Sequence, residues 1–317
     1  MTVASQHSTP AKAFQGVIPP LLTPLTADGR LDEPSLARLI EHHIAGGVDG
    51  LFVLGSSGEV AFFEDEMRDQ VLQAAVRLVA GRVPVLAGII DMQTRRVLAH
   101  LRRAEEIGVA GVVATAPFYA ITGPEEIEAH FRAIAGATDL PVFAYDLPVC
   151  VHTKLDPALL VRLGSEGVLI GVKDSSGDDV GFRRLVMMND AAGSPLTLLT
   201  GHEVVVDGTY LAGGHGSVPG LGNIDPGGYV RMDRAARTGD TATMCAEQER
   251  LAALFEIAFA PVGKVGPAAG VGSFKTALYL MGVFETNTMS APMTALEGEN
   301  VDRVRQVLTS VGVELVR

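Results

Sequence analysis

Cysteine is scarce in this chain: Cys150 and Cys245 are the only two in 317 residues. Two thiols without metal-type spacing build neither a disulfide framework nor a zinc site, and they fit a reducing cytoplasm. Basic charge is short as well, with 25 Lys and Arg against 37 Asp and Glu and a formal net charge of −12. A surface of that sign excludes non-specific attraction to nucleic acid or anionic lipid, so an anionic ligand must be held by local groups. No apolar run approaches the roughly 18 residues that a bilayer-spanning helix needs. The opening "MTVASQHSTPAK" lacks the apolar stretch of a signal peptide, and residues 1–13 read as a flexible tail. The histidines are scattered, and the adjacent His42 and His43 diverge on a helical stretch, so no metal set is expected.

What is present is an ordinary globular composition, 47% apolar and 20% charged, in a chain long enough for one α/β barrel or two average domains. Short apolar runs alternate with longer stretches of helical period, which is the pattern of βα units around a parallel sheet. The runs are 16–25, 49–55, 83–89, 110–117, 140–148, 168–173, 196–201 and 214–220. Between them, 34–46, 64–80, 93–107, 124–136, 178–190 and 203–212 each suit one crossover helix. Asp32 before Pro34 and Gly123 before Pro124 mark helix starts. Eight such runs without a repeated nucleotide-binding signature predict a closed (β/α)8 TIM barrel over residues 14–239, not an open doubly wound sheet. Helical periodicity at 241–260, 273–284 and 297–312, interrupted by the Gly/Pro-rich 261–272, predicts a C-terminal helical extension over 240–317.

Active sites of such barrels sit at the C-terminal ends of the strands. Applied to the runs, this rule yields Pro24, "GSSGE" (55–59), "PFY" (117–119), Tyr145, Lys173, Gly201 and Val218. Lys173 closes an apolar strand, where a partly desolvated mouth disfavours a charged amine and favours a nucleophile. The plainer alternatives are snorkelling to solvent or pairing with Asp174. Tyr145 ends the preceding strand, and a phenol beside such an amine can donate and accept the protons that imine chemistry moves. A rim tyrosine with its hydroxyl in water is the plainer reading. Small residues in "GSSGE" leave backbone N–H groups and two hydroxyls free for a carboxylate, although such turns also occur for conformational reasons alone. The turn lacks the lysine of a phosphate-binding loop.

Taken in order, "GSSGE" (55–59), "PFY" (117–119), "YDLP" (145–148), "GVKDSSGD" (171–178) and "GGHGSVPGLGN" (213–223) resemble the dihydrodipicolinate synthase/N-acetylneuraminate lyase family of lysine-dependent class I aldolases. The resemblance runs over nearly the whole chain from residue 14. It implies a lyase without cofactor, in which Lys173 attacks the C2 carbonyl of pyruvate or another 2-oxo acid, forms a Schiff base and serves as an electron sink. Tyr145 is then the general acid/base, relaying protons through Ser57 to Tyr119 of a neighbouring subunit in a homotetramer built as a dimer of dimers. Ser56 and Ser57 hold the substrate carboxylate, and Gly201 and Val218 line the pocket through their backbone. Serine stands where the family usually has threonine at one or both positions, and it keeps the hydroxyl.

One departure bears on the substrate. Family members that make dihydrodipicolinate carry, five residues after the tyrosine, an arginine for the carboxylate of aspartate semialdehyde. Here that residue is Cys150, which cannot make a bidentate carboxylate contact. The expected partner is a less charged or polyhydroxylated aldehyde, as for a 2-keto-3-deoxy sugar-acid aldolase. The 4-hydroxy-tetrahydrodipicolinate synthase reaction, a deoxy-oxo sugar-acid dehydratase and a 2-oxo-acid-binding protein without turnover stay open. So does an unrelated phosphate-sugar barrel with its anion site at "GGHGSVPG" (213–220).

Overall fold

A computed structural model describes residues 14–317, so the tail expected over 1–13 lies outside the described residues. The strands are β1 (Gly16–Val17), β2 (Leu51–Val53), β3 (Val85–Gly88), β4 (Gly111–Thr115), β5 (Val142–Asp146), β6 (Gly171–Asp174), β7 (Thr197–Thr200) and β8 (Gly216–Ser217). The helices that follow β1 to β4 are α1 (Glu33–Gly46), α2 (Asp65–Val79), α3 (Thr94–Ile107) and α4 (Pro124–Ala135). After β5 come the short α5 (Pro148–Val151) and α6 (Pro157–Ser165), and after the remaining strands α7 (Asp179–Ala191), α8 (Val206–Ala212) and α9 (Pro226–Thr238).

Each strand from β2 to β8 pairs in parallel with its neighbour in sequence, and β8 pairs with β1. The ring closes just past β1, where Pro20 lies opposite Phe52. There the Leu21 N–H donates to the Phe52 carbonyl (2.8 Å) and the Phe52 N–H donates to the Pro19 carbonyl (3.0 Å). This is the (β/α)8 barrel that the alternation predicts. Its first and last strands are much shorter than their apolar runs, because Pro19, Pro20 and Pro219 have no N–H to give a ladder. Between β1 and β8 the backbones meet so closely that a Cβ on Gly216 would lie 2.1 Å from the Gly16 carbonyl oxygen. Only glycine closes the ring there.

Two crossover helices fall outside the stretches that periodicity picks out. α6 is nine residues long, and Gly164 near its end lets Leu196 pack against the backbone. α9 opens with Pro-Gly-Gly, which are poor helix formers. Both start at an Asp-Pro step, with Asp156 accepting from the Leu159 N–H (3.0 Å) and Asp225 from the Gly228 N–H (2.8 Å).

The chain ends in α10 (Thr241–Phe255), α11 (Gly270–Leu280) and α12 (Glu299–Ser310). α10 packs on α9, and α11 packs on the turn at Gly220–Asn223. A buried ion pair between Lys275 of α11 and Glu59 ties this helix to the loop after β2. Lys275 Nζ also donates to the Thr288 carbonyl (2.9 Å), and the Ser290 N–H donates to Glu59 Oε2 (2.7 Å).

Candidate active site

Strand register puts Tyr145 opposite Lys173 and Asp146 opposite Asp174. Alternation then sends Tyr145 and Lys173 to the interior and turns both aspartates to the outer face. Lys173 is 5% exposed, and its Nζ lies 4.1 Å from the centre of the Tyr145 ring and 4.7 Å from that of Phe52. The two rings stand edge to face at 6.2 Å and 85°. Among the described residues the amine has no ion-pair partner and no hydrogen bond, and Asp174, on the outer face, is engaged by Lys154 and Ser176. The plain alternatives for Lys173, snorkelling or pairing with Asp174, are not what the chain adopts. A Cβ on Gly201 would come within 3.2 Å of Lys173 Cε and 2.0 Å of Ser175 Oγ, so glycine keeps the space beside the lysine stem open.

The turn after β2 is bracketed by two non-glycine residues in the left-handed region, Leu54 (φ 60°) and Glu59 (φ 63°). Gly58 N–H donates to the Gly55 carbonyl (3.0 Å), Glu59 N–H to that of Ser56 (3.1 Å), and Thr23 Oγ1 to that of Gly58 (2.9 Å). Among the described residues the N–H groups of Ser56 and Ser57 donate to no acceptor, so both are available to an anion. The Tyr145 hydroxyl lies 3.4 Å from Ser56 Oγ. The expected relay runs through Ser57, whereas the serine that meets the phenol here is Ser56. In a turn of i→i+3 bonds successive side chains fan apart by about 120°, so only one serine can face the phenol. Ser57 points instead toward Gly220, where a Cβ would lie 3.5 Å from its hydroxyl and 3.1 Å from Glu203 Oε1.

Glu203 escapes the strand-end rule because it lies three residues past β7, yet its carboxyl is at the mouth. Its side chain accepts from the Leu221 N–H, and its backbone carbonyl accepts from Tyr229 Oη and Gln248 Nε2, both at 3.2 Å. Desolvation pushes the carboxyl up to about 7, while the Leu221 N–H, the Lys173 ammonium and the Gly220 N–H hold it down. An acid so perturbed beside a buried amine marks a functional site, and a Glu in the loop after a strand-end glycine is the signal that could have found it. Val218 is buried just past β8, its N–H donating to the Thr200 carbonyl (2.7 Å). Tyr119 is not gathered into this cluster: it is 89% exposed, with φ 72°, in the loop between β4 and α4. Cys150 is exposed in α5. A cavity of about 850 Å3 lies elsewhere, lined by Arg30, Met67, Arg77 and Met289 among others, and none of the candidate residues lines it.

The model of the dihydrodipicolinate synthetase family matches residues 13–311. A 4-hydroxy-tetrahydrodipicolinate synthase of Shewanella piezotolerans is 28% identical over 95% of this chain and 100% of its own length. YagE of Escherichia coli K12, provisionally named a 2-dehydro-3-deoxy-D-gluconate aldolase, is 35% identical over 72% of this chain and 76% of that protein. The crystal structure of YagE in complex with pyruvate superposes with a TM-score of 0.89 at 30% identity, covering 95% of this chain and 99% of the other.

Proposed function

The chain belongs to the dihydrodipicolinate synthetase family, and from that premise we propose that it is a Schiff-base lyase that releases pyruvate from, or joins it to, an aldehyde in 2-keto-3-deoxy sugar acids. One observation carries this reading: the Lys173 amine lies over the Tyr145 and Phe52 rings with no carboxylate in contact, at the barrel mouth. The amine adds to the C2 carbonyl, Tyr145 supplies a proton to the oxygen, and loss of water from the carbinolamine leaves the imine. In the cleavage direction the base removes the proton of the C4 hydroxyl. The C3–C4 bond then breaks with its electron pair drawn toward the imine nitrogen, and the aldehyde leaves. Protonation of the enamine at C3 and hydrolysis return pyruvate and the free lysine.

In this reading Ser56 relays protons from Tyr145, and Tyr119 of a neighbouring subunit completes the chain in a homotetramer, which accounts for a tyrosine so exposed. The two unengaged N–H groups of the 55–59 turn and the Ser57 hydroxyl bind the pyruvate carboxylate. Gly201 and Val218 line the pocket, and Glu203 meets the hydroxyls of the aldehyde portion. The barrel of 14–239 and the extension of 240–317 act as one unit, and the two free cysteines fit the cytoplasm as its compartment.

The name of the full-length Shewanella relative favours a second reading, condensation of pyruvate with aspartate semialdehyde; Cys150 in place of an arginine weighs against it. Incubation with pyruvate, borohydride reduction and peptide mass spectrometry should put the adduct on Lys173. A folded protein that takes no adduct there overturns the proposal. Cleavage of a 2-keto-3-deoxy sugar acid faster than condensation with aspartate semialdehyde selects the first reading, and the reverse order selects the second.

A further inference from the structure

Tyr145 and Lys173 are each followed by an aspartate, and the register that sets the first two side by side sets Asp146 opposite Asp174 as well. Both carboxylates are buried on the outer face of the strands, with Asp146 at 0% and Asp174 at 5% exposure. Like charges directly opposite on neighbouring strands push them apart, and a low local dielectric strengthens that repulsion. Lys154, from the loop between α5 and α6, lies between them: its Nζ donates to Asp146 Oδ2 and, at 3.2 Å, to Asp174 Oδ2. The remaining oxygens have neutral donors. Asp146 Oδ1 accepts from the Leu155 N–H (3.1 Å), and Asp174 Oδ1 accepts from the N–H (2.8 Å) and hydroxyl (2.7 Å) of Ser176. The charged groups that bear on Asp146 are Lys154 and Asp174, and those that bear on Lys154 are the same two aspartates.

We propose that Lys154 is a positioning residue: by bridging Asp146 and Asp174 it holds the ends of β5 and β6 together and so fixes the Tyr145 ring over the Lys173 amine. The inference rests on Lys173 and Tyr145 being the groups that carry the chemistry. Past the clamp the Ser175 N–H still donates to the Asp146 carbonyl (2.9 Å) and the Gly201 N–H to that of Asp174 (2.7 Å). Splaying of the two ends therefore bears on Gly201, which lies beside the Lys173 stem, as well as on the Tyr145 ring.

The test is the pH profile of imine trapping in Lys154→Met, which keeps the stem and removes the charge. At pH 8 the trapping rate should fall by up to about 100-fold, the scale of an ångström misplacement. Burial pushes Asp146 upward, Lys154 holds it down and Asp174 adds to the rise, so without Lys154 the carboxyl takes a proton more readily. Protonation removes one of the two like charges, and the rate relative to wild type should climb as the pH falls. Asp146→Asn/Lys154→Met removes the repulsion without acid, and it should return to within a few-fold of wild type with a ratio independent of pH. A purely structural role would lower the melting temperature of Lys154→Met and leave its relative rate flat with pH, which overturns the proposal. If Lys154→Met does not fold, the double variant decides alone: wild-type trapping supports the clamp, and slow trapping overturns it. A wild-type protein without adduct at Lys173 is a separate failure, that of the functional reading, and takes the clamp's catalytic role with it.

Discussion

Among the described residues two lysines are buried to nearly the same depth, one in the barrel and one in the C-terminal extension, and their surroundings are opposite. Lys275 has Glu59 against its ammonium, the Thr288 carbonyl as a further acceptor, and no exposure at all. Burial pushes this amine below the ordinary lysine range, with Glu59 working against the shift. Lys173, 5% exposed, has two aromatic rings and no carboxylate in contact. A buried charge is costly unless paired and hydrogen-bonded. The pair at Lys275 satisfies that demand and spends itself on structure, bolting α11 to the loop that carries Ser56 and Ser57. The demand is left unmet at Lys173, and groups left so are candidates for chemistry.

Removing each amine in turn should break the comparison along that line. Lys173→Ala should abolish the borohydride adduct and turnover together, while the melting temperature stays level or rises, because no buried carboxylate is orphaned. Tyr145→Phe should keep the adduct and lower turnover by about two to four orders of magnitude, the usual cost of losing a general acid/base. Lys275→Ala should do the reverse of Lys173→Ala: it strands Glu59 in the interior and costs about 3–5 kcal/mol in denaturant unfolding, yet the folded fraction still forms the adduct. Glu59→Gln/Lys275→Met should recover most of that stability. A large loss of stability in Lys173→Ala, or none in Lys275→Ala, would erase the distinction.

How much of this was legible before folding depends on the distance over which each contact acts. The alternation of apolar runs gives the barrel, because a parallel strand buried on both faces must be apolar throughout. Lys173, Tyr145 and Gly201 stand at run ends, so one rule about barrel mouths finds them. Ser56 and Ser57 were legible as a pair, but which of them meets Tyr145 depends on how a turn rotates side chains that are identical in sequence. Lys154 and Lys275 were not legible: the first acquires its partners through the register between β5 and β6, and the second through a contact between α11 and the loop after β2, far apart in the chain. The short β1 was misjudged for a local reason, since prolines are apolar in a run but withhold the N–H a strand needs.

Glu203 offers the finest test of the comparison, because it is the acid that bears on Lys173 without touching it. Desolvation raises its carboxyl from 4.5 to about 7, while in the unfolded chain it titrates at the ordinary value. Between those two values the folded protein holds a proton that the unfolded chain has released. The group therefore favours folding below the lower value, and its contribution is lost as the pH rises toward 7. A gap of this size is worth at most about 3 kcal/mol. Melting temperature should thus fall more steeply from pH 4.5 to 7 in wild type than in Glu203→Gln, and the two curves should run parallel above pH 8. Parallel curves over the whole range would mean that Glu203 is a permanent anion. Lys173 would then have a standing counter-charge nearby, and its surroundings would approach those of Lys275.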